Sequence, residues 1–188
     1  MKKSNKKINL SRQYLSAAAY RYLERYATTQ ANLKLILKRK VYRIVVGSEN
    51  EKEQSEQADI WIDEIVKKCV TQNFVNDELY AKSRARALIN SGNSVAGIKN
   101  KLRQKGVSAD LINETIEKAC EDNPNINLVS AIKYVRKRRF GPFRIREKEE
   151  NTVKKESGAM ARAGFSYAET KQILKATREE LEDILYEN

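Results

Sequence analysis

Half of the stretch KYVRKRRFGPFRIR, residues 133–146, is cationic: Lys133, Arg136, Lys137, Arg138, Arg139, Arg144 and Arg146. Phe140 and Phe143 are interleaved, and Gly141-Pro142 places a turn between them. Guanidinium forks engage phosphate or carboxylate oxygens in pairs, and aromatic faces can stack on bases. This stretch is the strongest binding candidate in the chain. A second group comprises Lys99, Lys101, Arg103 and Lys105, which flank the apolar stripe Val95/Ile98/Leu102, with Arg84 and Arg86 just upstream. All of these cations are candidate contacts to a partner or a nucleic acid.

Covalent chemistry has little to work with. The chain has no histidine, which excludes histidine general bases and the Ser-His-Asp and Cys-His pairs. Cys69 and Cys120 stand alone in IVKKCV and IEKACE, so neither a zinc site nor a disulfide is expected. Both read as buried free thiols of a reducing compartment. The carboxylates of EKEE, 147–150, read as solvated pairing on a basic helix. No catalytic residue, metal ligand or cofactor is therefore expected.

The 188 residues carry 37 Lys+Arg against 25 Asp+Glu, a net charge of +12, with a mean hydropathy of −0.70. An excess this large opposes compaction unless a polyanionic partner uses it. The charge is uneven. Residues 1–47 hold twelve cations and one acid, and residues 123–162 hold eleven against four. The longest apolar run is Ala17–Tyr20, too short for a membrane span. MKKSNKKINL is basic without the apolar core of a secretion signal. A monomeric, cytoplasmic protein without membrane contact is expected.

The elements that must position these cations read as helices throughout. With two prolines and seven glycines among long Ala, Leu, Lys, Arg and Glu stretches, only VYRIVV at 41–46 hints at a strand. Ser94, Ser108, Ser166 and Thr177 precede apolar-periodic runs, and Ser166–Glu169 and Thr177–Glu180 have capping-box spacing. LRQKGVSADLI, 102–112, is echoed by MARAGFSYAET, 160–170, each with a glycine where a helix end needs positive φ. AYRYLER, ELYAKSR and AIKYVRK align through Tyr22, Tyr80 and Tyr134, a position better suited to packing between helices than to base stacking.

The fold expected is all-α, with three tandem three-helix repeats forming an elongated, curved modular rod. The expected divisions are a basic N-terminal arm 1–13, repeat one over 14–71, repeat two over 76–122, repeat three over 125–177 and a helical extension 178–188. Repeat one departs in two ways. Lys40 stands where the others have glycine, and the acidic insert GSENEKEQSEQAD, 47–59, reads as a flexible solvated loop. Residues 94–119 could be taken for a DNA-reading helix-turn-helix. Its last helix carries Asp110, Glu114, Glu117 and Glu121 against Lys118 alone, so phosphates would repel it.

FVNDELYAKSRARALINSGNSVAGIKNKLRQKGVSADLINETIEKA, 74–119, together with AIKYVRKRRFG and MARAGFSYAETKQIL, resembles the RecX family of regulators of the bacterial RecA recombinase. The resemblance covers roughly 14–177. Ala163 stands where a second arginine is common in that family. The resemblance implies a non-enzymatic protein that lies in the groove of the RecA–single-stranded DNA filament and bridges protomers. There it would lower ATPase and strand-exchange activity and filament growth, and dampen the SOS response. A stand-alone basic DNA-binding protein is the alternative, and salt-dependent binding to naked DNA distinguishes it.

Overall fold

The computed structural model describes residues 9–145, 147 and 149–187. Every regular element among them is helical. The order is α1 (Arg12–Leu23), α2 (Gln30–Val45), α3 (Glu51–Thr71), α4 (Asp77–Asn90), α5 (Val95–Gln104), α6 (Ala109–Asp122), α7 (Ile126–Arg138), a short 3-10 turn (Gly141–Phe143), α8 (Thr152–Arg162), α9 (Tyr167–Lys175) and α10 (Arg178–Glu187). These form three successive three-helix repeats, with α10 following the third. Starts are set by side chains that accept an otherwise orphaned amide. Ser11, Thr29, Ser94, Ser108 and Ser166 each take the N–H three residues on. Both expected capping boxes form, with Glu169 returning to the Ser166 amide and Glu180 to the Thr177 amide.

The chain divides into two compact units, Met1–Tyr80 and Ala81–Asn188. In the first, Leu15, Leu33, Leu37, Ile62 and Val66 form a core with Tyr20, Tyr22 and Trp61 against it. Lys34 pairs with Asp63 at 2.6 Å and Lys38 with Asp59 at 2.8 Å, so α2 and α3 run antiparallel. Two expectations are corrected here. Most of the acidic insert is not a loop, because α3 begins at Glu51. Glu51 and Glu53 occupy its first turn, where the helix dipole favours negative charge. Asp59 then meets Lys38 of α2. Nor does Lys40 end a helix: α2 runs on through VYRIV, and Gly47, at φ 78°, follows its last residues.

The second unit holds the other two repeats from Ala81 of α4 onward. Ala81, Ala85 and Leu88 of α4, Ile98 and Leu102 of α5 and Ile112 and Ile116 of α6 are buried. Ile132, Val135, Met160, Phe165, Ile173 and Leu181 form the core around α7 to α10. Phe143 belongs to this core and Phe140 packs against it. Neither phenylalanine is therefore free to stack on a base, which corrects the sequence reading. The reason is the 3-10 turn, which folds both rings back onto α7 and α9. EKEE precedes α8 instead of lying on a helix, with Lys148 outside the described residues. Cys69 is buried as expected, and burial raises its thiol, while Cys120 is only half-buried.

Candidate functional site

The second and third repeats meet through small residues and polar hooks. Gly92, at φ 74°, sits so close to α7 that a Cβ would lie 2.9 Å from that of Lys133 and 3.0 Å from the Tyr134 amide. Gly164, at φ 90°, leaves space that a Cβ would fill to within 2.6 Å of the Ser94 Oγ. Ser94 donates from that hydroxyl to the Ala163 carbonyl at 2.6 Å while capping α5. The Val95 amide donates to Asn127 Oδ1 at 2.9 Å, and Asn127 Nδ2 donates to Glu169 Oε1. Burial pushes the Glu169 carboxyl up, but hydrogen bonds from Ser166 and Asn127 outweigh it and leave it below the ordinary glutamate value.

Above this contact the helices diverge into a cleft made of two adjoining hollows of about 610 Å³ each. The two share Gly92, Asn93, Lys101, Tyr134 and Arg138. Cations reach the cleft from four helices: Arg84 from α4, Lys101 from α5, Lys137 and Arg138 from α7, and Arg162 from α8. No carboxylate is among the described residues that line it. Arg138 lies over the Tyr134 ring at 5.6 Å. That ring is also held by Phe140 and Phe165, and its hydroxyl points to the Ala159 carbonyl. Lys101 is steadied by Asn93 Oδ1.

The sequence-predicted cations are thus sorted by the fold. Arg84, Lys101, Lys137 and Arg138 come together in the cleft. Arg86, Arg103, Lys105, Arg136 and Arg139 are exposed elsewhere in the same unit, with Arg103 bonded to Asn100 at 2.7 Å. Lys99 and Lys133 are half-buried, and Lys99 donates to Asn113 Oδ1 at 3.1 Å. Arg144 faces inward. Its Nε and Nη2 grip both oxygens of buried Glu156 at 3.0 and 2.7 Å, and Glu156 also accepts the Gly141 amide. That fork raises the Arg144 guanidinium above its ordinary value. Arg146 lies outside the described residues. Arg162 was missed by the sequence reading, although it stands two residues before the Gly164-Phe165 corner that fixes its position.

Among the described residues no three His, Cys, Asp or Glu side chains converge as a metal site. None of their helices is long and apolar enough to cross a membrane.

Residues 76–116 match the family model described as RecX, second three-helix domain. A regulatory protein RecX of Myxococcus xanthus is 36% identical over 167 residues, covering 88% of this chain and 86% of that one. One from Agrobacterium fabrum is 39% identical over 111 residues, covering 59% of this chain and 57% of its own length. A crystal structure of RecX from Lactobacillus salivarius superposes with a TM-score of 0.56 at 20% identity, over 91% of this chain and 96% of that one. A second RecX crystal structure gives 0.57, also at 20% identity, over 88% and 72%. These two show a shared fold.

Proposed function

The chain belongs to the RecX family of regulatory proteins, and from that premise we propose that it regulates a RecA-type recombinase by binding the recombinase filament on single-stranded DNA. The observation that carries this reading is the identity with regulatory relatives along most of the chain, joined to a cationic surface built from repeated modules. A filament offers the same binding site again and again. Linked modules that each bind weakly gain avidity when several engage together. Exposed cations such as Arg86, Arg136 and Arg139 steer the protein toward phosphates and acidic filament surface. Inhibition then needs no catalytic group and no cofactor. A protein bridging two protomers lowers ATPase, strand exchange and filament growth by favouring one inter-subunit geometry over the ATP-competent one. The strand is reached directly or through the filament.

The test is the ATPase rate of the cognate recombinase on single-stranded DNA, titrated with this protein. The rate is expected to fall as the protein approaches one chain per few protomers, and an Arg136→Glu/Arg139→Glu variant is expected to inhibit less. An unchanged rate with one chain per protomer would overturn the reading.

A further inference from the structure

We infer that an acidic furrow along the first three turns of α3 is the docking site of the chain's own lysine-rich segment, residues 1–8, which lie outside the described residues. It goes beyond the recombinase reading and does not depend on it.

The furrow lies wholly within the first unit and has a volume of about 850 Å³. Its apolar lining is Leu10, Ile44 and Trp61, each half-buried against the core, and Ile60, which is 56% exposed. Its charge is negative: Glu53 and Glu56 border it, and no cation does among the described residues. In a chain of net charge +12 this is a local reversal of sign. Phosphates would be repelled from it. Nor is it a metal site, since no third carboxylate, histidine or cysteine converges there among the described residues. The chemistry that fits is an ammonium-bearing segment with apolar side chains.

The acids of α3 fall into two groups. Asp59, Asp63 and Glu64 are paired with Lys38, Lys34 and Arg12 at 2.8, 2.6 and 2.9 Å. Glu53 and Glu56, the two that face the furrow, have no ion-pair partner among the described residues.

Residues 1–8, MKKSNKKI, supply the complement: Lys2, Lys3, Lys6 and Lys7, no acid, and the apolar Met1 and Ile8. They are also joined to the furrow, because Asn9 and Leu10 form part of its wall. Eight residues reach at most about 26 Å. The face of α3 from Trp61 back to Asn50 is only about 16 Å long. A tether this short gives the segment an effective concentration of about millimolar, so weak attraction fills the furrow and a foreign cationic peptide competes poorly.

Trp61 is the chain's one tryptophan, so its emission reports directly on the furrow. The test measures acrylamide quenching of that emission in the full chain. Lys2→Glu/Lys3→Glu/Lys6→Glu/Lys7→Glu should raise the quenching constant at low salt by about twofold, because the tethered cover is lost. Glu53→Lys/Glu56→Lys should do the same. All six substitutions together reverse both partners and should restore the original protection. The unaltered chain in about 1 M salt, where screening acts within about 3 Å, should quench like the lysine variant, which itself should change little with salt. Salt and the lysine substitutions leave α3 intact, so fraying of that helix in Glu53→Lys/Glu56→Lys would not imitate the result. Equal quenching of the unaltered chain and the lysine variant at low salt would overturn the inference, as would a six-fold variant no better protected than its parents. Protection should not depend on chain concentration between about 1 and 100 μM, both far below the effective concentration of a tethered segment. Protection that grows over that range would assign the furrow to a second copy, and the inference falls. It falls equally if added polylysine protects Trp61 as strongly in the unaltered chain as in the lysine variant, since the furrow would then stand open to a foreign partner.

Discussion

Glu156 is a carboxylate with 5% of its surface exposed, and Arg144 makes that tolerable. Two charged hydrogen bonds and the Gly141 amide replace the water that the carboxylate loses. A buried pair of this kind contributes little net stability but is costly to break from one side, at about 3 kcal/mol. Arg144→Met should therefore lower unfolding stability in urea by about that amount. Arg144→Met/Glu156→Met should recover most of the loss, falling short by about 1 kcal/mol for the unpaired Gly141 amide. A double variant less stable than the single would mean that the charge pair itself, and not relief of an orphan carboxylate, holds the turn. The same contact explains why Arg144 differs from its neighbours. In sequence it is one of seven cations, and only the fold places a buried glutamate beside it.

Helix ends are the recurring element of this chain. α3, α4, α5, α7 and α8 all close with an amide reaching back five residues: Phe74 to Cys69, Asn93 to Leu88, Val107 to Leu102, Phe140 to Val135 and Phe165 to Met160. The residue before each donor adopts positive φ, and in α7 that residue is Arg139, at φ 57°. A left-handed conformation costs a side chain such as arginine on the order of 1 kcal/mol. Arg139→Gly should therefore raise the thermal unfolding midpoint, by up to about 1 kcal/mol in stability, even though glycine usually destabilises. A lowered midpoint would show that the Arg139 side chain holds structure through contacts of its own. These closures were readable where glycine marks them, at Gly106 and Gly164, because no other residue fits so cheaply. They were unreadable at Arg139, and with them went the inward folding of Phe140 and Phe143. The expectation that Lys40 ends a helix failed because repeat one simply extends α2 to the next glycine. The acidic insert looked like a loop because Lys38, the partner of Asp59, lies 21 residues earlier. Helix periodicity within a segment is local, whereas a charge ladder between helices is not. For the cleft, the sequence supplied four of its five cations but not their grouping, since only the close approach at Gly92 brings α4 and α5 beside α7.

Across the second unit, repeats two and three are joined by a relay that a single side chain completes. Asn127 accepts the Val95 amide at the start of α5 and donates to Glu169 at the start of α9, so one residue of α7 serves the caps of two other helices. Repeats that share an interface gain stability from their neighbours as well as from their own cores. Loss of Asn127 should therefore spread in both directions. Asn127→Ala removes the partner of one amide and of one carboxylate oxygen, at about 1–3 kcal/mol together. Amide hydrogen exchange locates the effect. Protection should fall in α5 and α6 of the second repeat and in α9 of the third. The amides of α2 and α3 should keep theirs, because Leu33, Leu37, Ile62 and Val66 make a core within the first unit. Loss confined to α7 would mean that the two repeats open separately and that the relay only decorates their contact. Loss in both repeats together would make them one cooperative body. The cleft beside the relay would then keep its shape, and its cations their spacing, for as long as that body stays folded.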